Sequence, residues 1–475
     1  MDDIYPLTPM QTGMVFHALS QGQQGVYCEQ AAFVLDGVSD VELLATAWQH
    51  VLDRTPILRS SVVWDEVPEP VQIVHRHVEL PVGYHDWQQL PTTDRHHEVQ
   101  RLLTADRTQG FDLTVAPLLR VQLAQLSNTE VQVVWTFHHV LLDGWSVFQV
   151  LSDVFACHAA LQHHDTTFEP PHRRPFRDYL AWLQGRDDRL AEEHWRGVLS
   201  GLSAPTPLPY DRLPAQAHTS RSSDRVSLDR AVPESERLYD FARRHHLTVS
   251  AVVQGAWALL LSRYSGERDV CFGVTMSGRP AELVGVDQMT GIFINTLPMR
   301  VEVSRQTGVV QWLQELQTAQ AQSRRFEHLS LMQLQSWSDV PGGVRLFDSI
   351  VVFENYPIND EAAAAHGLRV RELQAVETTN YPLLVAVTPG RRLSLELGYD
   401  PALFDLTTVE ALAARLARVL DLLTENPTLP VGQIDILTDN ERDCLLTTWN
   451  DTDRAVPQVV WPELFQAQVA RTPNA

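Results

Sequence analysis

At 475 residues the chain is too long for a single hydrophobic core, so two domains of roughly 150–250 residues are expected. With 44% apolar and 20% charged residues the composition is that of a globular protein, and a net charge of −22 argues against a nucleic-acid or anionic-membrane surface, which needs clustered Lys and Arg. The longest apolar run, 249–261, is too short to span a bilayer, and Asp2 and Asp3 stand where a signal peptide would carry basic residues, which points to a cytoplasmic protein.

Along the chain, Thr8, Pro9 and Gln11 predict a capping box at the start of a first helix. A strand over 29–35, an amphipathic helix over 41–52 and strands over 58–64 and 71–74 follow. A polar helix over 95–106 leads to strands over 118–123 and 131–136, then a helix over 146–161. The prolines and polar residues of 162–174 read as a surface loop, and two short helices occupy 176–184 and 191–199. After a proline-bearing boundary at 202–225, a second lobe opens with a strand over 225–228 and helices over 234–245 and 249–264. A strand over 269–276 and a helix over 407–423 belong to the same lobe. From Thr438 onward the sequence turns polar and proline-punctuated, with a short helix expected over 462–471. Mixed strands and helices make this an α/β (α+β) protein.

The segment VQVVWTFHHVLLDGWS, 131–146, carries the clearest chemical signal. A buried strand ends in His138 and His139, with Asp143 and Gly144 close behind, an arrangement suited to proton handling at neutral pH. Adjacent histidines alone say little. The pairs at 96–97, 163–164 and 245–246 lie in polar helices or loops and read as solvated surface. His138 and His139 point to opposite faces of a strand and cannot easily share a metal ion. His75 and His77 share a face but lack an evident third ligand, and Cys28, Cys157, Cys271 and Cys444 are scattered without ligand spacing, so no metal site is expected. The stretch from Gly144 to Phe148 lacks the second glycine of a nucleophile elbow, and no phosphate-binding glycine loop occurs. Asp143 reads as a second base, a partner that orients His139, or a structural charge, with the structural role favoured. A buried carboxylate demands an arginine, and Arg279, Arg54 and Arg59 are candidates.

Read together, separated segments resemble the condensation domains of nonribosomal peptide synthetases. TPMQTGMVFHAL at 8–19 resembles the family's first signature, and RTPILRSSV at 54–62 the second, with Thr55 and Pro56 departing from its His-Glu. HHVLLDG at 138–144 matches HHxxxDG in full, FRDYLAW at 176–182 is similar to YxDFAxW, and TGIFINTLPMR at 290–300 fits GxFxNTxxxR. FDSIVVFENYP at 347–357 resembles the late strand, and the tail resembles the connector into an adenylation domain.

The resemblance implies two chloramphenicol-acetyltransferase-like lobes in a V-shaped pseudo-dimer with a central tunnel. The expected division is an N-terminal lobe at 1–175, an inter-lobe segment and C-terminal lobe at 176–436, and a connector at 437–475. Donor and acceptor peptidyl carrier proteins would bring thioesters on 4'-phosphopantetheine arms, with no cofactor bound by the chain itself, and the acceptor amine would attack the donor carbonyl. His139 is implied as the catalytic residue, either as general base or as a group positioning the amine and the tetrahedral intermediate. His138, Asp143, Gly144 and Arg279 are implied as supporting residues, the last pairing with Asp143, and Trp145, Asn295 and Ser349 are expected along the tunnel. The nearest alternative is an epimerisation domain of the same superfamily, which needs a second proton-handling group, and a further one is a catalytically silent docking module.

Overall fold

In the computed structural model the chain is described at residues 1–20, 27–164, 171–214, 220–354, 360–376, 378–455 and 458–474. Strand β1 (Asp3–Pro6) leads into helix α1 (Pro9–Ser20), which opens on the reciprocal cap its spacing predicts. The Thr8 amide donates to Gln11 Oε1 at 2.9 Å, and the Gln11 amide donates to Thr8 Oγ1 at 3.2 Å. Next come β2 (Cys28–Asp36) and α2 (Val41–Arg54), the latter capped by the Asp40 carboxylate accepting from the amides of Glu42 and Leu43. The strand expected at 58–64 is only half strand. Pro56 fixes its own φ and starts a 3₁₀ turn, Pro56–Arg59, before β3 (Ser60–Val63) begins.

Then follow β4 (Val71–Val74), β5 (Val82–Asp86), α3 (Thr92–Gln109), β6 (Leu119–Gln125), β7 (Glu130–His138) and α4 (Gly144–Gln162). Two helices, α5 (Phe176–Gln184) and α6 (Asp188–Leu199), precede β8 (Asp224–Asp229), α7 (Val232–Arg244), α8 (Val249–Ser265) and β9 (Asp269–Met276). The remainder runs β10 (Asn295–Glu302), α9 (Val309–Arg324), α10 (Leu331–Ser336), β11 (Ser349–Phe353), α11 (Asp360–Ala364), β12 (Arg369–Val376), β13 (Leu383–Thr388), β14 (Ser394–Tyr399) and α12 (Leu406–Glu425). Parts of the expected loop at 162–174, the boundary at 202–225 and the motif at 347–357 lie outside the described residues.

Among the described residues three open sheets result, with no closed barrel. A small one has order β1-β4-β3, a five-stranded one β12-β2-β7-β6-β5, and a six-stranded one β10-β9-β11-β13-β14-β8. The five-stranded sheet is covered on both faces. Phe33, Leu35, Val133, Trp135 and Phe137 pack towards Trp48 of α2 and Val154 of α4, whereas Ala32, Val34 and Val134 meet Val99, Leu102 and Leu103 of α3. Burial on both sides explains why β2 and β7 read as apolar runs rather than as alternation. The six-stranded sheet carries α8, whose Trp257 is 1% exposed and donates its indole N–H to Ser349 Oγ at 3.2 Å.

The described chain forms two units, Met1–Ile434 and Asp435–Ala475. No break falls at 175/176, because β12 from the later half pairs antiparallel with β2 of the earlier one, Val370 opposite Leu35 and Gln374 opposite Ala32. The Arg371 side chain clamps this crossing strand, donating to Asp36 and Glu130 at 2.7 Å each. The second unit contains α13 (Asp439–Asp443), capped by Thr438, and α14 (Trp461–Arg471). Among the described residues no helix is long and apolar enough to cross a membrane.

Core packing should outweigh surface charge in this fold. Trp257→Ala removes a large buried side chain and leaves Ser349 without its donor, and it is expected to cost about 3–5 kcal/mol in urea unfolding. Arg371→Ala breaks several ion pairs, but Arg371, Asp36 and Glu130 are each about one-third exposed, so the same measurement should show at most about 1 kcal/mol.

Candidate active site

Strand β7 delivers two neighbouring histidines to opposite sides, and their surroundings give them different chemistry. His138 turns inward between Tyr27 and Phe111, with ring centroids at 6.3 and 6.5 Å, and its Nδ1 accepts the Val140 amide at 3.1 Å. Burial, reinforced by the neighbouring His139, pushes its pKa down to about 3, so it is a neutral packing residue. His139 lies just past the strand, its amide donating to the Tyr27 carbonyl at 2.8 Å, and its ring lines a cavity. Its Nδ1 is 2.6 Å from the Leu142 carbonyl oxygen. A carbonyl only accepts, so Nδ1 carries the proton and Nε2 holds the lone pair. Burial lowers the His139 pKa below the ordinary imidazole value, outweighing the Leu142 carbonyl and the Asp143 charge, which both raise it. The imidazole is therefore neutral at neutral pH.

Asp143 is fully occupied. It caps α4 through Oδ1, which accepts the Ser146 amide at 2.8 Å, while Oδ2 accepts the Phe293 amide at 3.1 Å. Arg279 Nη2 reaches both oxygens at 3.1 and 3.2 Å. The same guanidinium donates to Ser146 Oγ at 2.9 Å and to the carbonyls of Val286 and Met289, and lies 4.0 Å over the Phe293 ring. Gly278 aims it. Its φ is +61°, and a Cβ there would stand 1.6 Å from the Phe293 carbonyl oxygen. Of the three arginines considered from sequence, Arg279 meets Asp143. Arg59 instead binds Asp2 and the carbonyls of His75 and Arg76, and Arg54 lines a different cavity with Asp153 and Arg173.

The cavity beside His139 has a volume of about 160 Å³ and draws its walls from both halves of the first unit. Met10 and Met14 come from α1, Gly144 from the start of α4, and Leu331, Ile350 and Val352 from later elements. Of the residues expected along a tunnel, Asn295 lines the cavity, but its amide group is spent on the carbonyls of Glu327 and Leu329 at 2.7 and 2.6 Å. Ser349 does not line it. Side chains alternate along β11, so Ile350 and Val352 face the cavity while Ser349 faces Trp257. Trp145 also lies outside it, its indole N–H donating to the Asp287 carbonyl at 2.8 Å.

Sequence reasoning passed over three supporting residues. Gln11, read only as a helix cap, also donates to the Val140 carbonyl at 2.9 Å and so holds the histidine loop from α1. Ser146 donates to the Gly291 carbonyl at 2.8 Å and accepts from the Gly291 amide at 3.0 Å. Its position three residues after Asp143 is the capping signal that could have found it. Phe293 supplies both an amide and a ring to the Asp143–Arg279 pair. Among the described residues, no group of three or more His, Cys, Asp or Glu is placed to hold a metal ion.

A family model described as "Condensation domain" matches residues 1–446. The chain is similar to a linear gramicidin synthase of Brevibacillus parabrevis, 41% identical over 476 residues that cover all of this chain but 9% of that protein. It is also similar to surfactin synthase subunit 3 of Bacillus subtilis (strain 168), 31% identical over the whole chain and 37% of the relative. Among solved structures, the X-domain from teicoplanin biosynthesis superposes with a TM-score of 0.77 at 25% identity, covering 91% of this chain and 97% of that one. The starter condensation domain of rhizomide synthetase shares the fold with a TM-score of 0.76 at 19% identity, covering 92% of this chain and 98% of that one. The HHxxxDG loop latched by an arginine from the later half thus sits in a chain that belongs to the condensation domain family of nonribosomal peptide synthetases.

Proposed function

We propose that this domain joins a donor acyl or peptidyl thioester to the amine of an acceptor aminoacyl thioester, both presented on phosphopantetheine arms of carrier proteins. The observation that carries this reading is the His139 ring, with Nδ1 committed to the Leu142 carbonyl and Nε2 left to meet a proton beside the cavity. A thioester is already activated, so the reaction needs two reactants brought together and one proton managed. The amine nitrogen attacks the donor carbonyl carbon, the C–N bond forms and the C–S bond breaks. The acceptor ammonium first gives one proton to solvent, so the neutral amine attacks; the proton its nitrogen then loses as the amide forms passes through His139 Nε2 and ends on the departing thiolate. A neutral imidazole is the form that can accept it. Asp143 and Arg279 act as positioning residues that hold the loop. The multidomain relatives support carrier proteins and an adenylation domain as neighbours of this domain.

A second reading is a docking module without chemistry, favoured by the likeness to the teicoplanin X-domain, a protein also solved in complex with OxyB. Loading defined aminoacyl groups on donor and acceptor carriers separates the readings. A dipeptidyl thioester detected by mass spectrometry supports condensation, an inverted α-carbon without a new amide supports epimerisation, and carrier binding without either supports docking.

His139→Ala is expected to slow condensation at least about 100-fold while leaving the melting temperature unchanged. Full activity in a folded variant would remove His139 from the mechanism. Asp143→Asn strips a buried guanidinium of its counter-charge and should cost about 3–5 kcal/mol of stability. If the variant instead melts normally yet is inactive, Asp143 takes part in the chemistry directly. NMR titration should place the His139 midpoint below 6.5. Because the folded pKa is the lower one, the unfolded chain takes up the proton first, and this histidine lowers stability as pH falls below 6.5.

A further inference from the structure

We propose that Gly13 sets the width of the His139 cavity, its missing side chain leaving the room that a large apolar side chain of the bound aminoacyl or peptidyl group fills. This inference deepens the condensation reading and rests on it. Helix α1 meets the cavity along one face. Met10, Gly13, Met14 and His17 all line it, and offsets of three, four and seven residues from Met10 form a single helical stripe. Three of the four fill their share of the wall with a side chain, and Gly13 does not. Elsewhere the wall is built from Leu331 of α10 and from Ile350 and Val352 of β11, which are apolar. Glu29, which stands opposite Phe137 in the β2–β7 register, lines the same cavity with His139.

A glycine inside a helix needs a reason, because it weakens the helix relative to alanine. Backbone conformation supplies none here: Gly13 lies well within α1, and its φ is not in the left-handed region. Packing supplies none either, since a Cβ built on Gly13 meets no heavy atom within 4 Å. Gly255 in α8 is the contrast. A Cβ there would stand 2.3 Å from the buried Leu313 side chain of α9, so close packing of two helices accounts for that glycine. Gly197 in α6 also meets nothing, but it lies exposed at the surface. Gly13 is half-buried, and the space beside it is the cavity. On α1 that space is bordered by Met10 and Met14, thioethers that adapt their shape to different apolar neighbours. An apolar group placed against them leaves water, and full burial of a Leu- or Phe-sized side chain raises affinity roughly tenfold or more. A pantetheine arm is slender and carries amides, which need hydrogen-bond partners rather than added width.

The test measures binding without carriers or turnover, by calorimetry on the whole chain at pH 7. The probes are amide analogues of alanyl- and phenylalanyl-pantetheine, with nitrogen in place of the thioester sulfur, each as the free amine and as the N-acetyl form. Free amines stand for the acceptor and N-acetyl forms for a peptidyl donor, so the series that responds identifies the substrate whose side chain lies at Gly13. In that series the wild-type chain should bind the phenylalanyl probe at least about tenfold more tightly than the alanyl one. Gly13→Leu should bring this ratio close to one. Gly13→Ala, which suits a helix and meets no atom of the fold, should lower it about threefold, and Gly197→Ala should leave it as it is. A wild-type ratio near one in both series overturns the inference. So does a ratio that Gly13→Ala and Gly13→Leu both retain, including the case where both probes weaken equally. Should Gly13→Leu fail to fold, Gly13→Ala alone decides, and a retained ratio overturns the inference. A ratio that responds to Gly13 in a chain that forms no peptide would fail the condensation reading alone. Condensation with a ratio indifferent to Gly13 would fail this inference alone.

Discussion

A carboxylate taken out of water needs an opposite charge and donors for both oxygens, and Asp143 satisfies that need only by reaching residues far along the chain. Its oxygens take two amides and the Arg279 guanidinium, which itself bridges Ser146 and two carbonyls. Neither charge tolerates loss of the other at this depth. The β7–α4 loop, the segment after β9 and the segment before β10 are thereby fixed to one another, and the cavity wall they share is fixed with them. The pair also empties Asp143 of any spare lone pair directed at the cavity, which leaves the imidazole as the base the loop offers.

The two histidines show how little sequence adjacency constrains chemistry. One backbone amide makes His138 Nδ1 an acceptor, and one backbone carbonyl makes His139 Nδ1 a donor. The loop of five residues from His139 to Asp143 supplies the carbonyl that selects the tautomer, at Leu142. A longer or looser loop would leave the ring free to rotate and either nitrogen free to carry the proton. Gln11 secures the same loop from a third direction, through the Val140 carbonyl.

Local chemistry was the part of this molecule legible in its sequence. The Thr8–Gln11 cap, the apolar runs of β2 and β7, and the helices α5 and α8 each depend on neighbours within a few positions. What depends on partners far away was not legible. β12 joins the sheet of the earlier half through pairing with β2 across more than three hundred positions, and nothing in its own residues marks that destination. The short β1 and β5 carry too few residues for a period to show. Ser349 and Trp145 sit close in sequence to cavity residues, yet strand alternation and a hydrogen bond to Asp287 turn them elsewhere. Asp143 and Arg279 could be named as candidates because a buried charge has to be paired. Which arginine closes the pair depends on the fold.

Glu29 was hidden for a related reason. In a strand covered on both faces, apolar residues fill both parities, and a carboxylate near its start looks like an interruption rather than part of a cavity wall. Only the register with β7 shows that its face continues to His139. The two titratable groups differ in how they are held, which bears on how the cavity could accommodate different substrates. His139 is fixed by its loop and by three separate segments, so its position tolerates little change. Glu29, Met10, Met14 and Ile350 project from regular elements whose backbones are satisfied within their sheets and helices. Substituting such a side chain alters the charge or width of the wall without disturbing the latch. Changes in the charge or width of the wall therefore fall on strand and helix positions, apart from the loop that holds the His139 ring.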